Sequence, residues 1–168
     1  NLDGVADLAD DLTVLDISDT GIRDFDWLRA FTNLRRFYAD RIGLQDTSVL
    51  EAMVYLEGLS LSGNGIQNLD GLKNTSKLSE VDLSDNNLTD VSVLSRSAAC
   101  LEKLNLGHNE LTDLSCLSAA KGLQQVIVDD NKLTNLDWLN GGEWLVSASG
   151  NQISSLSGLN FAKMRSRP

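Results

Sequence analysis

The stretch VDLSDNNLTDVSVL, Val81 to Leu94, returns almost unchanged as LNLGHNELTDLSCL at Leu104 to Leu117. Val81 and Leu83 stand two apart, as do Leu104 and Leu106. On a strand, that spacing sends both apolar side chains to one face and Asp82 or Asn105 to the other. Further copies start at Leu15 (LDISDTGIRDFDWL), Phe37 (FYADRIGLQDTSVL), Leu59 (LSLSGNGIQNLDGL), Val126 (VIVDDNKLTNLDWL) and Val146 (VSASGNQISSLSGL). Successive starts are 22, 22, 22, 23, 22 and 20 residues apart. A period of this size predicts stacked units, each too small to bury its own apolar face.

Each position in the period has a physical role. The short strands are expected to stack in parallel, with their inner side chains filling a core and their outer ones lining an open face. A column of asparagines follows the strands: Asn64, Asn86, Asn109, Asn131 and Asn151. A carboxamide both donates and accepts, so the column suits backbone groups left bare where the chain turns inward. Four residues on comes a second polar column, Asp24, Asp46, Asn68, Asp90, Asp113 and Asn135, with Ser155 closing it. Asp and Asn cap the first bare N–H groups of a helical turn. About nine residues then remain before the next strand, enough for a 3₁₀ turn or one short helix.

The pattern resembles the leucine-rich repeat, L-x-x-L-x-L-x-x-N-x-L, and the fifth copy displays it through Leu101, Leu104, Leu106, Asn109, Leu111, Leu114 and Leu117. The 22-residue length and the N-x-[LI]-x-[DN]-[LV] stretch are similar to the bacterial internalin and SDS22-like subclass. The resemblance implies an α/β, right-handed solenoid of about seven repeats, with a parallel sheet on the concave face and short 3₁₀ or helical turns on the convex one. It also implies a non-catalytic module that binds a protein through the sheet. Two settings fit, an internalin-like bacterial surface or secreted protein, towards which the reading leans, and a cytoplasmic SDS22-like scaffold. A rigid spacer within a larger protein is the alternative function.

One repeat domain is expected over residues 1–168, with a partial N-terminal repeat at 1–11, seven repeats at 12–159 and a tail or incomplete cap at 160–168. The chain opens on Asn1, and the reading takes it as a fragment of a longer protein. Leu2, Val5 and Leu8 supply half a repeat at the start; Phe161 and Met164 form a lid at the other end, or a further domain follows Leu159. The second repeat departs furthest from the pattern, because Ile42 replaces the ladder asparagine and Ala39 and Thr47 replace core leucines. Irregular backbone is expected near Ile42. Thr20 stands in for asparagine in the first repeat. The last repeat is lean, with Ala148 in the core and a shortening around Gly141 and Gly142.

With 24 acidic against 14 basic residues the net charge is −10, so a nucleic acid would be repelled. No apolar run reaches the 18 or so residues of a membrane span. Cys100 and Cys116 read as partly buried free thiols, although a single bridge between them is compatible with the sequence. No zinc spacing, metal set, cofactor motif or catalytic constellation is present, and the single histidine leaves every serine without a rival base. A monomer is expected.

Candidate binding residues lie on the outward strand positions. Arg36, Tyr38, Asp40 and Arg41 join an aromatic to two arginines, types enriched at interface hot spots. Asp16, Asp19, Asp82, Asp85, Asp129 and Asp130 form an acidic band that would attract a basic partner, and Ile127 adds an apolar side chain to it. His108 falls between Asp85 and Asp130, a placement that suits a pH-sensitive contact or a weakly held cation; a lone exposed histidine more commonly does neither. Trp27 and Trp138 share a convex position and are expected to pack between turns, with Trp144 following.

Overall fold

The computed structural model describes residues 9–139 and 145–156. The expected half-repeat at Leu2, Val5 and Leu8, the shortening at Gly141 and Gly142, Trp144 and the tail with Leu159, Phe161 and Met164 lie outside them. Among the described residues one sheet holds seven parallel strands in chain order. They are β1 (Val14–Asp16), β2 (Arg36–Tyr38), β3 (Gly58–Ser60), β4 (Glu80–Asp82), β5 (Lys103–Asn105), β6 (Gln125–Ile127) and β7 (Leu145–Ser147). Every pair is in one register, so Val14, Arg36, Gly58, Glu80, Lys103, Gln125 and Leu145 form a single row across the sheet.

Residues two apart do reach the same interior. Leu59 and Leu61, Val81 and Leu83, Leu104 and Leu106, and Val126 and Val128 are all buried in one continuous core. The opposite wall comes from 3₁₀ turns at Asp26–Ala30, Thr47–Leu50, Asp70–Leu72, Ser92–Ser97 and Ser115–Leu117. Each turn sends a leucine inward, at Leu28, Leu50, Leu72, Leu94 and Leu117. The final rung is thinner: Val146, Ala148 and Ile153 are half-buried, while Leu145 and Leu156 remain exposed.

The asparagine column binds rung to rung. The Nδ2 of Asn64 donates to the carbonyls of Leu61 and Ser62 in its own rung and of Ala39 in the preceding one. Its Oδ1 accepts from the backbone N–H of Ile42, Gly43 and Leu44. Asn86, Asn109, Asn131 and Asn151 repeat the three donations. In the first rung the Thr20 hydroxyl makes one of them, to the carbonyl of Ile17 at 2.7 Å.

Arg41, just before Ile42, is regular: its φ of 54° lies within the 51–69° span of its counterparts Asp19, Gly63, Asp85, His108, Asp130 and Gly150. The departure expected near Ile42 falls on Gly43, whose φ is 77°; Gly65 shares it at 73°, but the equivalent Asn87, Glu110 and Lys132 have no positive φ. Asn64 of the following rung satisfies the Ile42 turn, so the missing asparagine removes only the tie back to rung one. Ile42 instead gives a fully buried side chain to the core.

Thr47 shows a second compensation. It is buried, and its hydroxyl accepts from the N–H of Gly71 at 3.1 Å. Gly71 stands where other rungs carry Trp27, Val49, Val93, Cys116 and Trp138. A small residue in each rung lets the two turns close together, and a Cβ on Gly71 would overlap the Thr47 carbonyl.

Of the convex tryptophans, Trp138 is buried; Trp27 is half-buried, donates its Nε1–H to the Asp24 carbonyl and meets Phe31 edge-on at 5.6 Å. Both cysteines are free. Cys100 is exposed, not partly buried as expected, because its position falls on the loop entering β5; Cys116 is half-buried, and burial pushes its thiol pKa up to about 11.

The second polar column closes one Asx turn after another. Asp24, Asp46, Asn68, Asp90, Asp113 and Asn135 each accept from the backbone N–H two residues on. At Asp46 and Asp113 the bonds favour the ionised acid. The Ser48 N–H foremost holds Asp46 below its ordinary value of 3.8, and the Ser115 hydroxyl does the same for Asp113. A folded-state pKa below the unfolded one gives stability that is complete above the ordinary value and is lost as pH falls through the folded one. Denaturation midpoints are therefore expected to stay level down to about pH 4 and to fall below it, as titrated by circular dichroism.

Candidate functional site: the outer sheet face

Alternation along β1 to β7 leaves three rows on the outer face. The middle row is Asp16, Tyr38, Ser60, Asp82, Asn105, Ile127 and Ser147, and a shallow hollow of about 250 Å³ opens over it between Tyr38 and Ile127.

Most polar groups on this face already have partners. Asp16 accepts from the Ser18 N–H, and Asp82 from the Ser84 N–H and the Asn105 amide. Asp129 reaches forward a rung to the Ser147 hydroxyl and the Ser149 N–H, as Asp40 does to Ser60 and Ser62.

The row just beyond the strands consists of the left-handed residues named above. Such backbone suits Gly and Asp and costs roughly 1 kcal/mol at Arg41 or His108. Both have a partner one rung away. Arg41 grips Asp19 with two hydrogen bonds of 2.7 and 2.6 Å, and His108 Nδ1 lies 3.3 Å from Asp130. In the first row Lys103 pairs with Glu80 at 2.8 Å. That bond foremost holds the Glu80 carboxyl below its usual range, and the field of Arg36 acts the same way.

The acidic band is therefore not continuous. Cations on rungs two and five stand between the acids of rungs one, four and six. The face nevertheless stays anionic, because Asp16, Asp19, Asp40, Glu80, Asp82, Asp85, Asp129 and Asp130 are opposed only by Arg36, Arg41 and Lys103.

The structure separates the four residues of the rung-two cluster. Asp40 and Arg41 are bound to neighbouring rungs. The side chains of Arg36 and Tyr38 make no hydrogen bond or ion pair among the described residues, and the Arg36 stem lies over Gly58, where a Cβ would come within 3.1 Å of its Cγ. Asp85 accepts no hydrogen bond among the described residues. His108 is 58% exposed and Asp85 does not join it; no group of three or more metal-ligating side chains occurs among the described residues. Ser60, Glu80, Lys103, Asn105 and Gln125 also border the hollow. Their outward positions were legible from the period, but only strand-to-strand register shows that Glu80 and Lys103 pair.

Comparison with known proteins supports the architecture. A family model of two leucine-rich repeat copies matches residues 56–96, and one of a single leucine-rich repeat matches residues 97–117. No curated protein matches the chain significantly in sequence. Among solved structures, an internalin (inlF) from Listeria monocytogenes superposes with a TM-score of 0.82 at 25% identity, over 95% of this chain and 48% of the internalin. A leucine-rich repeat protein of Leptospira interrogans gives a TM-score of 0.76 at 22% identity, over 93% of this chain and 42% of its own. A plant peptide hormone receptor, RGFR1 in complex with RGF2, gives 0.64 at 20% identity, over 80% and 24%. The chain thus spans less than half the length of each of these three. No helix among the described residues is long and apolar enough to cross a membrane. With seven parallel strands in one open sheet, 3₁₀ turns behind them and matches of this kind, the chain carries leucine-rich repeats and folds as a solenoid similar to the internalins, a fold that typically serves protein interaction.

Proposed function

We propose that this chain is a non-catalytic recognition module, with its repeats as one domain, that takes a protein partner on the outer sheet face. Leucine-rich repeat proteins are generally binding modules, and the RGFR1 neighbour was solved in complex with RGF2. The supporting observation is the composition of the face: eight carboxylates opposed by three cations, of which Arg36 makes no side-chain hydrogen bond or ion pair among the described residues, as is true also of Tyr38. Such a field speeds encounter with a basic surface, while Arg36 and Tyr38 provide contact at its edge.

The test compares partners captured from the source organism's extract by the wild-type chain, by an Arg36→Ala/Tyr38→Ala variant and by Arg96→Ala on the convex side. A partner lost only with the sheet-face variant, and released by added salt, is the expected result. Identical partners for all three would remove the assignment and favour a spacer.

A further inference from the structure

Resting on that reading, we infer that the occupant of the hollow is a basic amphipathic α-helix lying along the strand direction between Tyr38 and Ile127. The backbone of the face is the first constraint on an occupant. Every strand from β2 to β6 is paired on both sides, so this part of the face offers no main-chain groups to a ligand. Much of its floor is also satisfied internally. The Ser60 hydroxyl donates to Asp40, Asp82 accepts from Ser84 and Asn105, and the Asn105 Oδ1 accepts from the Gly107 N–H. An extended segment laid here would find side-chain partners such as the Tyr38 hydroxyl and Gln125 but no free main-chain ladder, so most of its N–H and C=O groups would be buried unmet, each costing about 1–3 kcal/mol. A helix satisfies its own backbone and brings only side chains.

Width is the second constraint. Tyr38 and Ile127 are the only aromatic or aliphatic members of the middle row. They stand four strand spacings of about 4.8 Å apart, roughly 19 Å between backbones. Once the two side chains are allowed for, the space approximates the 10–12 Å width of one helix, estimated with its own side chains.

Charge is the third constraint. Between the two walls lie Glu80, Asp82 and Asp85 against Lys103; Lys103 pairs with Glu80, which leaves Asp82 and Asp85 as the excess negative charge. The facing helix surface therefore carries Lys or Arg at its centre and apolar residues towards Tyr38 and Ile127.

The test uses the full chain and three fluorescein-labelled peptides, read by anisotropy at low salt. These are a hydrocarbon-stapled Leu/Lys helix, the same composition with two central prolines that forbid a helix, and a stapled Leu/Glu helix. The stapled Leu/Lys peptide is expected to bind at least about tenfold more tightly than the other two. A Tyr38→Ala/Ile127→Ala variant with an unchanged melting curve is expected to lose about tenfold, and Tyr55→Ala, off this face, nothing. Equal binding of the proline peptide, an unaffected double variant, or no binding by any of the three would each overturn the helix. A partner captured through Tyr38 despite that result would preserve the sheet-face assignment and discard only the helical occupant.

Discussion

Gly71→Ala is expected to destabilise the protein by about 4 kcal/mol, as large an effect as a single added methyl group produces. The turn at Asp70–Leu72 lies so close to Thr47 that a Cβ would overlap the Thr47 carbonyl and reach 3.0 Å from the Ser48 nitrogen. Backbone cannot step aside as a flexible side chain can, so relief requires the two turns to separate. Separation would break the Gly71 N–H bond to the Thr47 hydroxyl and open the core beside Leu50 and Leu72, both fully buried. Gly21→Ala is the control. Nothing lies within 4 Å of its added Cβ, so stability is expected to hold or to rise by a few tenths of a kcal/mol. Melting curves of the two variants measure the difference, and near-equal curves would mean that the close approach at Gly71 is not maintained.

The second large effect is expected from the ladder. Asn64→Ala removes three donations to carbonyls and an acceptor shared by three N–H groups, at a site only 3% exposed. Buried groups stripped of partners cost about 1–3 kcal/mol each, and partial rehydration brings the expected loss to roughly 4 kcal/mol. Asn64→Asp separates the two halves of the role, since a carboxylate can still accept from Ile42, Gly43 and Leu44 but cannot donate. It is expected to rescue little. Asn105→Ala, on the outer face, is expected to cost under about 1 kcal/mol. Similar chemical denaturation midpoints for Asn64→Ala and Asn105→Ala would contradict the role given to the column.

Both effects bear on what the sequence discloses. Strand positions, inner leucines and both polar columns follow from the period, because each rung imposes the same demands and the same residue types return. Exceptions are harder to read. Thr47 looks like a weak core residue and Gly71 like an ordinary turn glycine; only their contact across rungs makes each the reason for the other. Ile42 looks like a defect, yet the ladder works across rungs, and Asn64 supplies the bonds that the Ile42 turn needs. On the outer face, the acids of rungs one, four and six read as one band because the eye follows a single residue type. Aligning all three rows brings the intervening cations into view, but the grip of Arg41 on Asp19 emerges only when side chains are placed. Arg36 and Tyr38 gain their interest by subtraction, as groups left over once every neighbour has a partner.

Because each ladder asparagine ties its own rung to the one before, and ion pairs such as Arg35–Glu57, Lys73–Glu51 and Lys132–Glu110 link equivalent positions in the same way, the fold has a natural unit of editing. Excising or duplicating one whole rung brings matching donors and acceptors back together at the seam. A deletion of a few residues within a rung would misalign them instead. Length in such a chain can change by whole steps, and each step would widen or narrow the outer sheet face by one strand.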